Sequence, residues 1–219
     1  MFAETDYILN EFQIRKSPVQ KSSFRCWLSD KLTSHGYIVR VESGGSLIKS
    51  SNVIVGNPET AKVVFTAHYD TCAVLPFPNF ITPQNIILYL LYQILILVPI
   101  FILAIGAEIL LLALWHDAPM WMALLIVYAV LGFCIWWMMA GPANKHTMND
   151  NTSGVATLME IALSLPAEKR NAVAFIFFDN EEKGLLGSTL FKKKHGVKTK
   201  NTPVINFDCV SDGDYIQFS

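Results

Sequence analysis

The sequence of 219 residues lacks an excess of charge of one sign. Its 17 Lys and Arg residues stand against 18 Asp and Glu residues, which gives a formal net charge of −1. A protein that binds a phosphate backbone usually presents a strong positive patch or balance. The even balance therefore argues against nucleic acid as a partner.

Two other signatures are missing as well. The four cysteines, at positions 26, 72, 134 and 209, form no CxxC pair, which argues against a disulfide scaffold and against a thiolate zinc knuckle. The first residues, MFAETDYILNEFQIRKS, lack an apolar core of signal-peptide length. We therefore expect a reduced protein body that faces the cytosol.

Lys and Arg are absent from the whole stretch 72–143, which contains two long apolar runs. Residues 86–114 include a single charge, Glu108, and residues 119–140 include none. About 20 apolar residues suffice for a helix to cross the hydrocarbon core of a bilayer. We predict a transmembrane hairpin that contacts the lipid bilayer through residues 86–140. The alternative is a buried helical pair that serves as a lid or a dimer arm.

This hairpin would interrupt a soluble body and return both flanks to the same side of the membrane. Because all Lys and Arg residues lie in the flanks, the positive-inside tendency favours a cytoplasmic body. The predicted division is an N-terminal part of the body at 1–80, the inserted hairpin at 81–143, and a continuation of the body at 144–219. The predicted location is a membrane, with two spanning helices.

Outside the hairpin, patterns of strands alternate with patterns of helices. Apolar spacing predicts helices at 23–36, 153–165 and 188–196, and strands at 37–42, 51–56, 61–70, 171–178 and 202–208. Residues 171–178, NAVAFIFF, form a continuous apolar run, as expected of a strand covered on both faces. We predict an α/β fold with a mostly parallel or mixed central sheet flanked by helices.

Polar side chains capable of binding a metal follow these predicted strands or precede a helix. They are His68 and Asp70 after one strand, Glu181 and Glu182 after another, Asp208 after a third, and Asp150 just before a helix. In open α/β sheets, ligands bind at the carboxyl ends of the strands. We therefore expect these side chains to meet at one edge of the sheet.

Carboxylates that converge without a cation repel one another, whereas imidazole and carboxylate together suit zinc or a similar divalent ion. Asp70 would then hold His68 in its ligating tautomer. Of the adjacent Glu181 and Glu182, one can bind metal while the other handles a proton. Taken singly, Asp150 could instead cap a helix, and the glutamates and Asp208 could be solvated turn residues.

Four sequence blocks together resemble the aminopeptidase Y-type zinc exopeptidases, a family of peptidases with two catalytic zinc ions. The blocks are TAHYDT (66–71), NDNTSGVATLMEIA (149–162), FIFFDNEEKGLLGS (175–188) and INFDCV (205–210). They occur in the order of the family and cover most of the body after residue 60. The set is far more specific than any one block.

The resemblance implies a role for each matching residue. His68 would bind one zinc ion, and Asp150 would bridge the two ions. Glu181 would be the general base, Glu182 a zinc ligand, and Asp208 the carboxylate on the other metal. Asp70 would be the catalytic partner that orients His68. The implied reaction is hydrolysis of a peptide by water activated between two metals. The implied substrate is a peptide with a free N-terminus, although some members of the family cleave C-terminally or cyclise glutamine.

The sequence departs from the family pattern in two respects. Residues 71–149, which contain the hairpin, replace a short loop of the family. The family's last zinc ligand is a histidine downstream of the residue equivalent to Asp208, and His146 is a weak substitute, so we expect the C-terminal part to be missing. A rival hypothesis is an inactive peptidase-like membrane protein that serves as an interaction module. A small transport protein is less consistent, because no second intramembrane charge accompanies Glu108.

Overall fold

The computed structural model of the chain describes residues 3–75 and 85–211. These residues divide into two compact units. The first combines the residues up to Cys72 with those from Ala143 onward, and the second runs from Ala73 to Pro142. The predicted boundary between residues 80 and 81 lies outside the described residues, and the division at 1–80, 81–143 and 144–219 stays a prediction.

Six α-helices and five strands make up the regular structure of the described residues. In chain order they are α1 (Ala3–Glu11), α2 (Pro18–Ser34), β1 (Val39–Gly44), β2 (Ser50–Val55), β3 (Val63–His68), α3 (Ile86–Leu114), α4 (Met120–Ala140), α5 (Gly154–Ser164), β4 (Val173–Phe178), α6 (Leu186–His195) and β5 (Val204–Asn206). Short helical turns at 148–153 and 167–172 precede α5 and β4.

The first unit is built on one five-stranded sheet in the order β1-β2-β4-β3-β5. Strand β1 pairs antiparallel with β2, and β2 pairs antiparallel with β4, whereas β3 runs parallel to both β4 and β5. The predicted α/β fold with a mixed central sheet flanked by helices is confirmed. Strands β1 and β2 can pair antiparallel because a short loop joins them, whereas a parallel pair needs a long crossover.

Strand β4 shows why the sheet is stable. Phe175 and Phe177 are fully buried in the cluster formed with α1, α2 and α5, whereas Ala174 and Ile176 are fully buried in a second cluster that includes Phe191 of α6. Alternate residues of a strand point to opposite faces. The continuous apolar run of β4 therefore fills a core on each side, as the sequence predicts. Each large side chain buried in this way contributes about 1.5–3 kcal/mol.

Helix α2 begins five residues earlier than the apolar spacing predicts. Ser17 accepts a hydrogen bond from the backbone N–H of Gln20, the Gln20 side chain accepts one from the Ser17 N–H, and Pro18 occupies the first turn. This capping box satisfies backbone donors that would otherwise lack partners. The motif SPVQ is therefore the start signal that apolar periodicity alone overlooks.

The second unit contains α3 and α4, which pack against each other. By length and composition both helices are apolar enough to cross a membrane. Their bounds, Ile86–Leu114 and Met120–Ala140, agree with the predicted runs, and Pro119 serves as the N-cap of the second.

Candidate metal centre

The strand register brings the predicted site residues to one edge of the sheet. His68, the last residue of β3, lies opposite Phe178, the last residue of β4, and Thr66 lies opposite Asn206 at the end of β5. The segments that leave these three strands therefore start side by side. The turn before α5 supplies Asp150, whose peptide bond to Asn151 is cis.

The imidazole of His68 is buried and has carboxylates on its Nε2 side. Nε2 lies 3.1 Å from Oδ1 of Asp150 and 3.6 Å from Oδ1 of Asp208, while Nδ1 lies 3.1 Å from the carbonyl oxygen of Asp70. A carbonyl oxygen only accepts, so Nδ1 carries a proton and Nε2 faces the two carboxylates. Burial alone would lower the pKa of His68, but its hydrogen bonds with Asp150, Asp208 and Asp70 raise it well above its usual value. The carboxylates around Nε2 of His68 therefore favour a positive charge at this point of the site.

The carboxylate of Asp70 holds the segment that carries the two glutamates. It accepts hydrogen bonds from the backbone N–H of Glu181 (3.0 Å) and of Glu182 (3.2 Å), and its Oδ1 lies 3.6 Å from Nδ1 of His68. Burial acts to raise its pKa, but His68 and the Glu181 N–H lower the pKa overall. Asp70 thus contacts His68 more closely through its backbone than through its side chain, and its carboxylate orients Glu181 and Glu182.

The two residues before the glutamates anchor the same loop in the core. Lys21 of α2 donates to Asp179 Oδ1 and to Asn180 Oδ1, each at 2.7 Å, and Asp179 Oδ2 also accepts from the backbone N–H of Ser51 at 2.8 Å. Asn180 adopts a left-handed conformation with φ of 53°. No pattern in the sequence predicts these roles for Lys21, Asp179 and Asn180, because nothing local links α2 to the end of β4.

Asn151 ties together the elements around the site. Its Nδ2 donates to the carbonyl oxygen of Phe207 at 3.0 Å and to that of His68 at 3.5 Å, and its Oδ1 accepts from the N–H groups of Gly154 (3.1 Å) and Cys209 (3.4 Å). This fully buried side chain thereby joins the ends of β3 and β5 to the start of α5. Asn151 lies inside the sequence block 149–162, but the resemblance assigns it no role.

Arg15 is another positioning residue that the sequence patterns do not predict. Its fully buried guanidinium donates from Nε to the carbonyl oxygen of Tyr69 at 2.5 Å and from an Nη to Thr152 Oγ1 at 3.0 Å. Burial lowers its pKa to about 10, against the opposing effect of Asp70 and Asp150. Arg15 thus fixes the backbone beside His68 and adds positive charge behind the carboxylates.

Glu181 and Glu182 lie half-buried among the other acidic groups. Burial raises the pKa of Glu181, and burial followed by the charge of Asp150 raises the pKa of Glu182 to about 8. Oε1 of Glu182 is buried and has no hydrogen-bond partner among the described residues. A buried oxygen without a partner is costly, so the site fits a cation that would contact Glu182 Oε1.

Within the described residues, the candidate ligand atoms form three groups. They are His68 with Asp150 and Asp208, Cys72 with Asp150 and Glu182, and His68 with Glu181 and Glu182, and the ligand atoms of each group lie within 4.8 Å of one another. Asp150 belongs to two of the groups. The arrangement therefore offers two neighbouring positions for metal with one carboxylate in common.

The structure brings all six predicted site residues to this edge. Cys72 and Cys209 are half-buried beside it, and burial raises the pKa of both thiols. His146 is exposed and belongs to none of the groups found in residues 3–75 and 85–211. Among the described residues, His195 also contacts carboxylates, those of Glu42 and Glu59. It lies at the end of α6, which packs on the opposite face of the sheet from α5.

A search among the curated proteins finds no match. Among solved structures, glutaminyl cyclase from Porphyromonas gingivalis is similar over 87% of this chain and 52% of its own, with 19% identity and a TM-score of 0.49. Glutaminyl cyclase from Fimbriiglobus ruber is similar over 92% of this chain and 56% of its own, with 16% identity and a TM-score of 0.46. The chain thus spans about half the length of these proteins.

The family comparison agrees with the sequence blocks. The family model described as Peptidase family M28 matches residues 135–219. This range contains Asp150, Glu181, Glu182 and Asp208. The resemblance stated from the motifs is confirmed over this part of the chain: residues 135–219 match the model of Peptidase family M28.

Proposed function

We propose that this chain is part of a membrane-tethered, zinc-dependent exopeptidase of the aminopeptidase type. The observation that carries the proposal is the shared position of Asp150, which lies within reach of both the His68–Asp208 pair and Glu182. The match to Peptidase family M28 supports a peptide as substrate. The preference for a free N-terminus follows from the motif resemblance.

The residues that would hold two zinc ions follow from the two groups that share Asp150. His68, Asp150 and Asp208 would hold one ion, and Asp150 and Glu182 would hold the other. The unpartnered Oε1 of Glu182 supports this ligand set. When bound, zinc lowers the pKa of a coordinated water and polarises a carbonyl oxygen.

Glu181 is the general base of the proposed reaction. Its backbone is held by Asp70, and its half-buried carboxyl has a raised pKa, mainly through burial. A carboxylate with a raised pKa accepts a proton readily near neutral pH. Glu181 would take a proton from the attacking water and deliver it to the leaving amine.

The second unit supports attachment to a membrane. Across the described residues of α3, Ala104 alone is buried, and most apolar side chains of α3 and α4 are exposed. Apolar surface on this scale is unfavourable in water, which disfavours the alternative of a buried helical pair. We propose that residues 81–143 anchor the peptidase body, 1–80 with 144–219, on the cytoplasmic side.

The role of Glu181 is tested with the substitution Glu181→Gln in the full chain, purified in detergent. Glutamine keeps the size of the side chain but cannot accept the proton. We expect turnover of an aminoacyl anilide to fall by about 10²–10⁴-fold, the usual contribution of a general base. The bound zinc, measured by elemental analysis after dialysis, should remain unchanged.

Two matched variants separate the possible outcomes. Glu182→Gln should lose both zinc and turnover, because it removes a ligand, and Glu168→Gln, at an exposed position, should change neither. Retained turnover in Glu181→Gln would contradict the assigned role. Zinc binding without turnover in the unsubstituted chain would instead favour the rival hypothesis of an inactive peptidase-like membrane protein that serves as an interaction module.

A further inference from the structure

Cys72 lies beside the proposed metal centre, four positions after His68 in the chain. Three residues after the end of β3 separate it from His68. Its Sγ lies within 4.8 Å of carboxylate oxygens of Asp150 and Glu182. A thiolate and two carboxylates are all accepted ligands of zinc. This group adds a ligand that the motif resemblance does not include.

The surroundings of Cys72 hold its sulfur in place. Asn144 donates from its backbone N–H to the carbonyl oxygen of Cys72 at 3.2 Å, and from Nδ2 to Cys72 Sγ at 3.4 Å. An amide N–H that donates to sulfur stabilises the thiolate, which is the form that binds metal, and orients it, as hydrogen bonds around metal ligands commonly do. Asn144 therefore acts as a positioning residue for this sulfur.

A second observation points to a ligand at the same place. Glu182 Oε1 is buried and lacks a hydrogen-bond partner among the residues that the structure describes. A cation held by Cys72, Asp150 and Glu182 would supply that partner. Cys209 provides a contrast, because it is also half-buried at this edge but belongs to none of the three groups within the described residues.

We propose that Cys72 is a ligand of the second metal position, together with Asp150 and Glu182. The inference rests on the proposed function, because it completes the same metal centre. On binding, the thiol releases its proton to solvent as the sulfur–metal bond forms. A thiolate ligand would make this position favour zinc, cobalt or cadmium over magnesium and manganese, which prefer oxygen.

Titration with Co²⁺ tests the proposal without a measurement of activity. The full chain in detergent is stripped with a chelator, dialysed, and titrated while its absorption is recorded. Cobalt bound by the site gives weak bands in the visible range, and a cobalt–thiolate bond adds a strong charge-transfer band in the near ultraviolet. We expect both in the unsubstituted chain.

Matched variants identify the sulfur. Cys72→Ser and Cys72→Ala should lose the near-ultraviolet band and keep the visible bands, which also shows that the site is folded, whereas Cys209→Ser should keep both. A near-ultraviolet band that persists in both Cys72 variants, or visible bands alone in the unsubstituted chain, would overturn the role of Cys72 and leave the proposed metal centre standing. Absence of all cobalt bands in the unsubstituted chain would overturn both.

Discussion

At the scale of single residues, chemistry and positioning are divided between neighbours. In the loop after β4, Asp179 and Asn180 are buried and bind Lys21, whereas Glu181 and Glu182 are half-buried and face the candidate metal ligands. Two adjacent glutamates would repel each other in a free turn. They are held here because Asp70 accepts hydrogen bonds from the backbone N–H groups of both glutamates, and Lys21 binds the side chains of the two residues before them.

The buried ion pair of Lys21 with Asp179 gives a test at this scale. Lys21→Met keeps the length of the side chain but leaves Asp179 buried without its cation. Removing one partner of a buried pair costs about 3–5 kcal/mol, so the free energy of unfolding should fall by that amount. Denaturant unfolding in detergent, followed by Trp27 fluorescence after the hairpin tryptophans are replaced by phenylalanine, measures the change.

Lys31→Met is the matched control for this experiment. Lys31 pairs with Glu4 at 2.9 Å but is 35% exposed, and exposed pairs contribute under about 1 kcal/mol. The two variants should therefore differ clearly in stability. A loss below about 1 kcal/mol in Lys21→Met would show that Lys21 does not anchor the loop.

At the scale of elements, α6 is joined to the sheet by a charged cluster. His195 Nε2 lies 3.0 Å from Oε2 of Glu42 in β1, and its Nδ1 lies 3.1 Å from Oε1 of Glu59. Lys194 and Lys198 contact the same two carboxylates. The cluster joins these elements most firmly when both glutamates are ionised, because each carboxylate then accepts from His195 and a lysine.

The pKa of Glu42 predicts how acid weakens this junction. Burial acts to raise that pKa, but the hydrogen bond and charge of His195, together with Lys194, lower it below the usual 4.5. A carboxyl group with a lowered folded pKa contributes stability above its unfolded pKa, and loses it as the pH falls through the folded value. Glu42→Gln should therefore be less stable than the unsubstituted chain by about 1 kcal/mol at neutral pH.

The difference should disappear in acid, because the unsubstituted carboxyl is then protonated too. Unfolding of both chains by denaturant between pH 7 and pH 3 measures it, with Glu168→Gln at an exposed position as the control. A difference that stays constant down to pH 3 would show that the contribution of Glu42 is packing and not charge.

At the scale of the whole molecule, one chain combines an α/β body with two apolar helices. The segment with α3 and α4 separates the end of β3 from the turn with Asp150 along the chain, although both belong to the same candidate site. Asn144 donates two hydrogen bonds to Cys72 and so joins the residues of the first unit that precede and follow this segment. The described residues of α3 and α4 supply none of the predicted site residues.

The proposed orientation is tested by labelling thiols in whole cells. Asp117→Cys places a thiol in the exposed turn between α3 and α4, and the natural Cys26 is exposed in the body. With a membrane-impermeant maleimide, we expect intact cells to label Asp117→Cys and not the unsubstituted chain. After permeabilisation Cys26 should react in both, and Cys26→Ser should reduce that signal.

Two results would contradict the proposed topology. Labelling of Cys26 in intact cells would place the body outside. Release of the chain from membranes by alkaline carbonate would show that α3 and α4 do not span the bilayer. In either case the candidate metal centre would be unaffected, because all its residues lie in the first unit.

The sequence by itself predicted most elements of the first unit, the two apolar helices and the resemblance to the family, and it singled out the site residues, whose roles stay predictions. Helix α1 was not predicted. Period-2 and period-3.6 patterns report burial directly, and the apolar runs at 86–114 and 119–140 are long enough to read without context. Residues at strand ends, such as His68 and Glu182, could be predicted to converge because parallel strands end at one edge. The start of α2 was missed because a cap and not an apolar pattern defines it.

Only the tertiary structure decided which groups support the site. Arg15, Lys21 and Asn151 act on residues far away in sequence, and a buried hydrogen bond between distant segments leaves no periodic signal in either one. The same holds for Cys72, whose distance to Glu182 depends on how two loops leave neighbouring strands. Local patterns report local geometry, whereas the contacts that position a site depend on how the whole sheet is assembled.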